Sequence, residues 1–193
     1  SHPDLPALEP RDPWLNIDGT VEAGKVWAGG DDPTQPRLSP INGELAGLAP
    51  MDVTVGTHEL CLPDVLLLQE RAAAAGARDF FTGSASAADA RRALEGGPLT
   101  PGRKALADIG FLGITVPEAA GGAGSSVLDL AVVAEQAGAV LAGPSLVTAA
   151  RAAVLLADQP DLLTALADGS TGFAVLDGTP PAIDAVGADA VLA

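Results

Sequence analysis

Proline divides this chain. Nine of the 16 prolines precede Gly76, clustered at Pro3–Pro13 and Pro33–Pro40. Fixed φ angles and missing N–H donors make both places extended, turn-rich loops. Between them, Asp18 to Ala28 reads as a helix that Gly29-Gly30 would end. Met51-Asp52-Val53-Thr54-Val55-Gly56 alternates and is β-branched, which predicts a short strand ending at a glycine. A turn from Thr57 to Pro63 leads to a Leu- and Ala-rich helix, Asp64–Ala75, stopping at Gly76. Strand, loop and helix make an α/β unit with the loop at the carboxyl end of the strand, where such folds keep their chemistry.

Beyond Gly76 the punctuation is that of helices. Ser86 with Asp89 opens one that Gly96-Gly97 closes. Thr100 as cap and Pro101 at the first position predict the next, with Gly110 past its end. Ser126 with Asp129 opens a third, Val127 to about Leu141, on which Leu130, Val133, Ala134, Ala137 and Leu141 share one face. A fourth runs from Pro144 to about Ala157, and a fifth follows Pro160 and ends at Gly169. Then Gly172–Leu176 and Ala190–Ala193 read as strands separated by the turn residues Asp177-Gly178-Thr179-Pro180-Pro181.

Apolar residues are 48% of the 193 but aromatics only 3%, so a core here is built of Ala, Val and Leu, which bury little area each. The net charge of −15 is spread evenly along the chain as a solvated acidic surface, and the absence of a Lys/Arg patch argues against nucleic acid. Cys61 is the lone cysteine, which excludes an intrachain disulfide and suits a reducing compartment. It is expected to fill space as a small hydrophobe. Ser1-His2-Pro3-Asp4 carries neither a basic region nor an apolar run, and Val127–Leu141 is too short and too interrupted to span a membrane. A cytoplasmic location is the expectation.

Three spaced motifs carry a resemblance: Asp12-Pro13-Trp14-Leu15, Trp27-Ala28-Gly29-Gly30-Asp31-Asp32-Pro33 and Arg37-Leu38-Ser39-Pro40. With Leu48 to Thr57, then Leu60, Leu62, Pro63 and Asp64, they make residues 1–76 similar to the α/β-hydrolase esterases and lipases of the hormone-sensitive-lipase group. That resemblance implies a triad acid in the turn after the strand. Glu59 is the carboxylate nearest that place, whereas a shorter-loop alignment puts His58 there and removes the acid. No Gly-x-Ser-x-Gly elbow and no His-Gly-Gly loop occurs, and the histidines are His2 and His58 alone, so this segment cannot run triad chemistry by itself. Asp64 opens the next helix as an N-terminal charge.

A second resemblance rests on Leu106–Glu118, the glycines Gly121-Gly122-Ala123-Gly124, Leu128–Gly138 and Leu166–Ser170. Residues 77–193 resemble the N-terminal helical domain of acyl-CoA dehydrogenases, departing from it at Ala119-Ala120, where an aromatic is common. The glycines lack the spacing of a dinucleotide fingerprint and read as a tight connection that lets helices approach. By resemblance the third and fourth helices help to wall an acyl-chain pocket. Glu135, Gln136, Ser145 and Thr148 are then its neighbours, with ordinary surface or helix-end positions as the alternative for each. The family's FAD site and its catalytic carboxylate lie mainly in later domains, so neither Glu118 nor Glu135 is assigned as a base.

The expected fold is therefore mixed. A partial α/β-hydrolase-like segment (1–76) is followed by an acyl-CoA-dehydrogenase-like helical domain (77–170) and the start of a β-domain (171–193). The expected function is a dehydrogenase-related flavoprotein fragment joined to an esterase-related one, inactive alone, with FAD and an acyl-CoA ligand implied by resemblance. A carboxylesterase and a non-catalytic subunit docking on an intact dehydrogenase are the alternatives. Unpaired sheet edges favour self-association.

Overall fold

The chain divides into two compact units, Ser1–Gly76 and Ala77–Ala193, in a computed structural model that describes residues 3–49, 51–143, 146–178, 182 and 184–193. The first unit is helix and loop. α1 (Leu5–Leu8) passes into a 3-10 turn at Glu9–Arg11. α2 (Ile17–Ala28) is capped by Asn16, whose side chain accepts from the Gly19 N–H at 2.7 Å. It ends as its glycine pair predicts, with Gly29 left-handed at φ 60°. A second 3-10 turn covers Pro40–Asn42.

Asp12 ties the loops of this unit together. Its carboxylate accepts from the N–H groups of Trp14 (2.8 Å) and Leu15 (2.9 Å), and from that of Leu60 at 2.8 Å. These donors, Leu60's foremost, hold Asp12 below the usual carboxylate range.

Residues 51–56 form no strand. Their alternation suits a pleated ladder, but a ladder needs a partner, and no strand occurs among the described residues of the first unit. Met51 and Val53 stand half-exposed instead. The expected α/β arrangement is therefore absent from the described residues. Cys61, expected to fill space, is exposed just ahead of α3.

α3 (Leu62–Ser84) does not stop at Gly76. A glycine ends a helix by turning left-handed, and Gly76 keeps a negative φ inside the helix. Its cost there is about 1 kcal/mol relative to alanine. Full burial of Phe81, one turn beyond, contributes roughly 1.5–3 kcal/mol and outweighs that cost.

The second unit is helical with a small sheet. α4 (Ala87–Leu94) is capped by Ser86, as expected. α5 spans Arg103–Asp108 with extended Gly102 as its N-cap, so Thr100 and Pro101 lie outside it rather than opening it. α6 (Val127–Ala139) carries a full capping box: Ser126 Oγ accepts from the Asp129 N–H, and Asp129 accepts from the Ser126 N–H at 2.9 Å. Leu130, Val133 and Ala137 of its expected face are buried, whereas Leu141 lies past the helix end at φ 56° and is 63% exposed. α7 (Leu146–Leu155) and α8 (Pro160–Ala167) follow. The expected start at Pro144 falls outside the described residues.

The core of this unit joins α3, α5, α6, α7 and α8 to β1 (Phe173–Val175). Phe80, Phe81 and Phe111 meet with ring centroids 5.2–5.7 Å apart, the edge and stacked geometries aromatic pairs favour. The glycine loop is a packing device. A Cβ on Gly122 would lie 2.1 Å from the Val116 carbonyl oxygen, and Gly121 and Gly124 are left-handed. β1 pairs in parallel with β2 (Ala190–Leu192), Phe173 facing Ala190 and Val175 facing Leu192. Both strands fall where the sequence predicts them; part of the turn between them, 179–181, lies outside the described residues. Among the described residues no helix is long and apolar enough to cross a membrane.

Two stability predictions follow from this packing. Phe81→Ala should destabilise the helical signal in urea by about 3–5 kcal/mol, and Ser126→Ala by about 1 kcal/mol. A loss under 1 kcal/mol at Phe81 would mean that the aromatic cluster does not hold the unit.

Candidate functional site

A cleft of ≈ 440 Å³ opens in the second unit, within the range usual for small-molecule pockets. Its apolar lining includes Leu112, Ala149, Leu166 and Phe173, and residues 184 and 186–188 of the β1–β2 crossover line it too. A smaller hollow of ≈ 270 Å³ between α6 and α7 shares Leu99 and Asp184 with it.

Thr148 sits in the cleft wall on α7, 3% exposed. Its hydroxyl donates to the Asp184 carboxylate. Asp184 holds a left-handed φ of 58°, a conformation uncommon outside glycine.

Arg103, at the start of α5, spans the base of the cleft. Its Nε donates to the Gly169 carbonyl at 2.9 Å, past the end of α8, and its Nη1 to the Gly187 carbonyl at 3.4 Å. Nη2 pairs with Asp189 at 2.9 Å. Asp189 also accepts from the Gly172 N–H at 2.8 Å. Gly172 leaves room for this fit: a Cβ there would lie 1.7 Å from Arg103 Nη1, so the guanidinium would have to shift. The Gly172 N–H, then the Arg103 charge, hold Asp189 below its ordinary carboxylate value.

The residues singled out by sequence scatter. Glu59 is exposed in a turn of the first unit, its carboxylate folded back so that a Cβ on Gly56 would meet Oε1 at 2.6 Å. His58 beside it is exposed too. Glu135 is exposed on α6, while half-buried Gln136 accepts from Arg78 Nε at 3.2 Å. Their neighbours Ala134, Ala137 and Gly138 are the ones that line the hollow. The buried stripe of α6, Leu130–Val133–Ala137, was the signal that would have found them. Ser145 lies outside the described residues. Arg103, Asp184 and Asp189 were missed because their partners are 17 to 86 residues away, and no local spacing encodes such pairs. Among the described residues no cluster of His, Cys, Asp and Glu could hold a metal ion.

Residues 69–159 match the family model for the acyl-CoA dehydrogenase N-terminal domain. The match begins inside α3, ahead of Ala77, and covers a little under half of the chain. Over 65 residues the chain is 48% identical to the Mycobacterium tuberculosis protein named acyl-CoA dehydrogenase FadE34, which is 33% of this chain and 9% of that protein. No solved structure matches. Residues 69–159 are therefore related to the acyl-CoA dehydrogenases, a family of flavoprotein oxidoreductases.

Asp189 gives a pH prediction. Its folded pKa lies below the unfolded value near 3.8, so its contribution is complete above about pH 5 and is lost as pH falls through the folded value. Asp189→Asn should lower stability at neutral pH, and the gap to the parent chain should close under acid. A gap unchanged from pH 7 to about pH 3 would exclude an ionic role for this carboxylate.

Proposed function

We propose that residues 77–170 are the helical domain of an acyl-CoA-dehydrogenase-type protein, that 171–193 enter its β-domain, and that the ≈ 440 Å³ cleft receives part of an acyl-CoA thioester. The observation that carries this reading is the coincidence of the family match with α6 and α7, the helices that border the hollow and the cleft. In this reading Thr148 is the polar neighbour of the acyl chain, and the apolar side of the cleft takes the chain itself. Glu135 and Gln136 lie on α6 and are given no contact with the acyl chain in this reading.

Acyl-CoA dehydrogenases use FAD, which supplies hydride acceptance when bound. The described residues do not by themselves fit that group. Of the cations lining the cleft, Arg103 is engaged by two carbonyls and Asp189, and Lys104 stands exposed at the surface beside Asp108, so no built pyrophosphate cradle is formed by them. No flavin step is derived from these residues.

The esterase-like reading of residues 1–76, with Glu59 as triad acid, draws on sequence motifs alone, and among the described residues no strand positions the acid. A docking role on a related dehydrogenase subunit, or self-association, draws on the open edges of the two-stranded sheet. A cytoplasmic location rests on the lone Cys61.

Calorimetric titration of the full chain with octanoyl-CoA tests the proposal. Saturable binding is expected, and Ala149→Trp, which fills the cleft, should weaken it about tenfold. Absence of saturable binding, or indifference to Ala149→Trp, would sink the acyl-pocket reading.

A further inference from the structure

Met51-Asp52-Val53-Thr54-Val55 has the composition and alternation of a strand, and it runs with neither helix, turn nor bend. Its main-chain N–H and C=O groups make no hydrogen bond to any described residue. Residues 51–54 are exposed, Met51 by 49% and Val53 by 52%. The run ends where the Gly56 carbonyl accepts from the Glu59 N–H at 3.2 Å and the next turn begins. An exposed, unpaired stretch of this kind is a template for another strand, and proteins that keep one commonly blunt it with lysine or proline. Neither residue occurs between Met51 and Val55.

We propose that residues 51–55 pair with the same residues of a second copy of this chain, antiparallel and centred on Val53, to form a two-fold dimer. The side chains choose this partner and this direction. Antiparallel pairing sets Val53 against its mate, Met51 against Val55 and Asp52 against Thr54, so apolar residues face one another and the carboxylate meets a hydroxyl. Parallel pairing in register would bring Asp52 beside its mate, a like-charge contact that destabilises. Side chains alternate along the segment, so Met51, Val53 and Val55 of both copies share one face, and Asp52 and Thr54 the other. Centred on a hydrogen-bonded Val53 pair, the two segments exchange about six main-chain hydrogen bonds. The contact uses the same patch on each copy and therefore closes as a dimer. Each chain carries a net charge of −15, so the copies repel and salt strengthens their association. This inference concerns the first unit and does not depend on the acyl-CoA reading of the second.

Sedimentation equilibrium of the full chain tests the pairing, at concentrations from about 10 μM to about 1 mM and in about 0.5 M salt to screen the repulsion. A monomer–dimer equilibrium is expected. Thr54→Lys places a cation opposite Asp52 on each side of Val53 and should tighten the dimer roughly fivefold, and Thr54→Asp should loosen it by about as much. Thr57→Lys makes the same change of charge in the exposed turn outside the ladder and should leave the dissociation constant within about twofold. Val53→Pro removes an N–H from the centre of the ladder and should weaken the dimer about tenfold or more. Thr54 is exposed and the segment gives the fold no main-chain hydrogen bond, so these variants should keep the parent's helical signal. A chain that stays monomeric over the whole range would overturn the proposal and leave the segment to a strand of a different protein. Growth past the dimer would overturn it as well. So would a dimer indifferent to Val53→Pro, or a Thr54→Lys variant no tighter than Thr57→Lys, because the contact would then lie elsewhere or run in another register.

Discussion

Arg103 is the contact on which the second unit's assembly depends. One guanidinium joins the end of α8, the crossover and the start of β2, and through Asp189 it reaches the N–H that opens β1. A two-stranded parallel sheet has little stability of its own. Here its register is set from outside, by a charged group that cannot be deprotonated and that presents donors in a fixed fork. Gly172 completes the fit by leaving the guanidinium the space a Cβ would take. The cleft lies beside this junction, with Arg103, Gly169 and Gly187 among the residues that line it.

Small residues set the rest of the packing. With four Phe and two Trp in the chain, and Trp14 and Trp27 both exposed, the aromatic contribution to the core comes from phenylalanine. Ala77, Ala137, Ala149, Ala152, Ala153 and Ala167 fill much of what remains. Alanine buries little area, so the elements must approach closely to exclude water. The loop through Gly113 and Gly122 permits that approach: a Cβ on Gly113 would lie 3.1 Å from the Ala167 Cβ and 3.2 Å from the Gly122 Cα.

The two units differ in how far this goes. In the first, Leu8, Ala28, Leu60, Pro63 and Ala75 are the buried apolar residues among those described, and organisation comes instead from caps and from Asp12. α2 lies almost wholly exposed outside Ala28, so its cap and its glycine stop define it more than packing does. The family match starts within α3, where the phenylalanine-bearing half of the helix enters the second unit's core. That placement explains why a boundary drawn at Gly76 cuts a helix that the backbone continues.

Local chemistry alone accounts for the caps at Asn16, Ser86 and Ser126, for the glycine stop at Gly29 and for where β1 and β2 fall. Asn16, Ser86 and Ser126 satisfy N–H groups within four residues, and Gly29 supplies a left-handed turn at its own φ. Such effects act at short range, so they are legible in a line of residues. Tertiary structure decided what needed a distant partner. Met51–Val55 has strand-forming residues and no ladder to join; Gly76 has a stop residue's identity and Phe81's burial beyond it. Family resemblance suggested Thr148 as a pocket neighbour, and the residue lines the cleft, but its bond to Asp184 was not legible, and neither was the Arg103 junction. Those pairs form only once the helices have packed, because only then are residues far apart in the chain brought within the few ångströms over which a hydrogen bond acts.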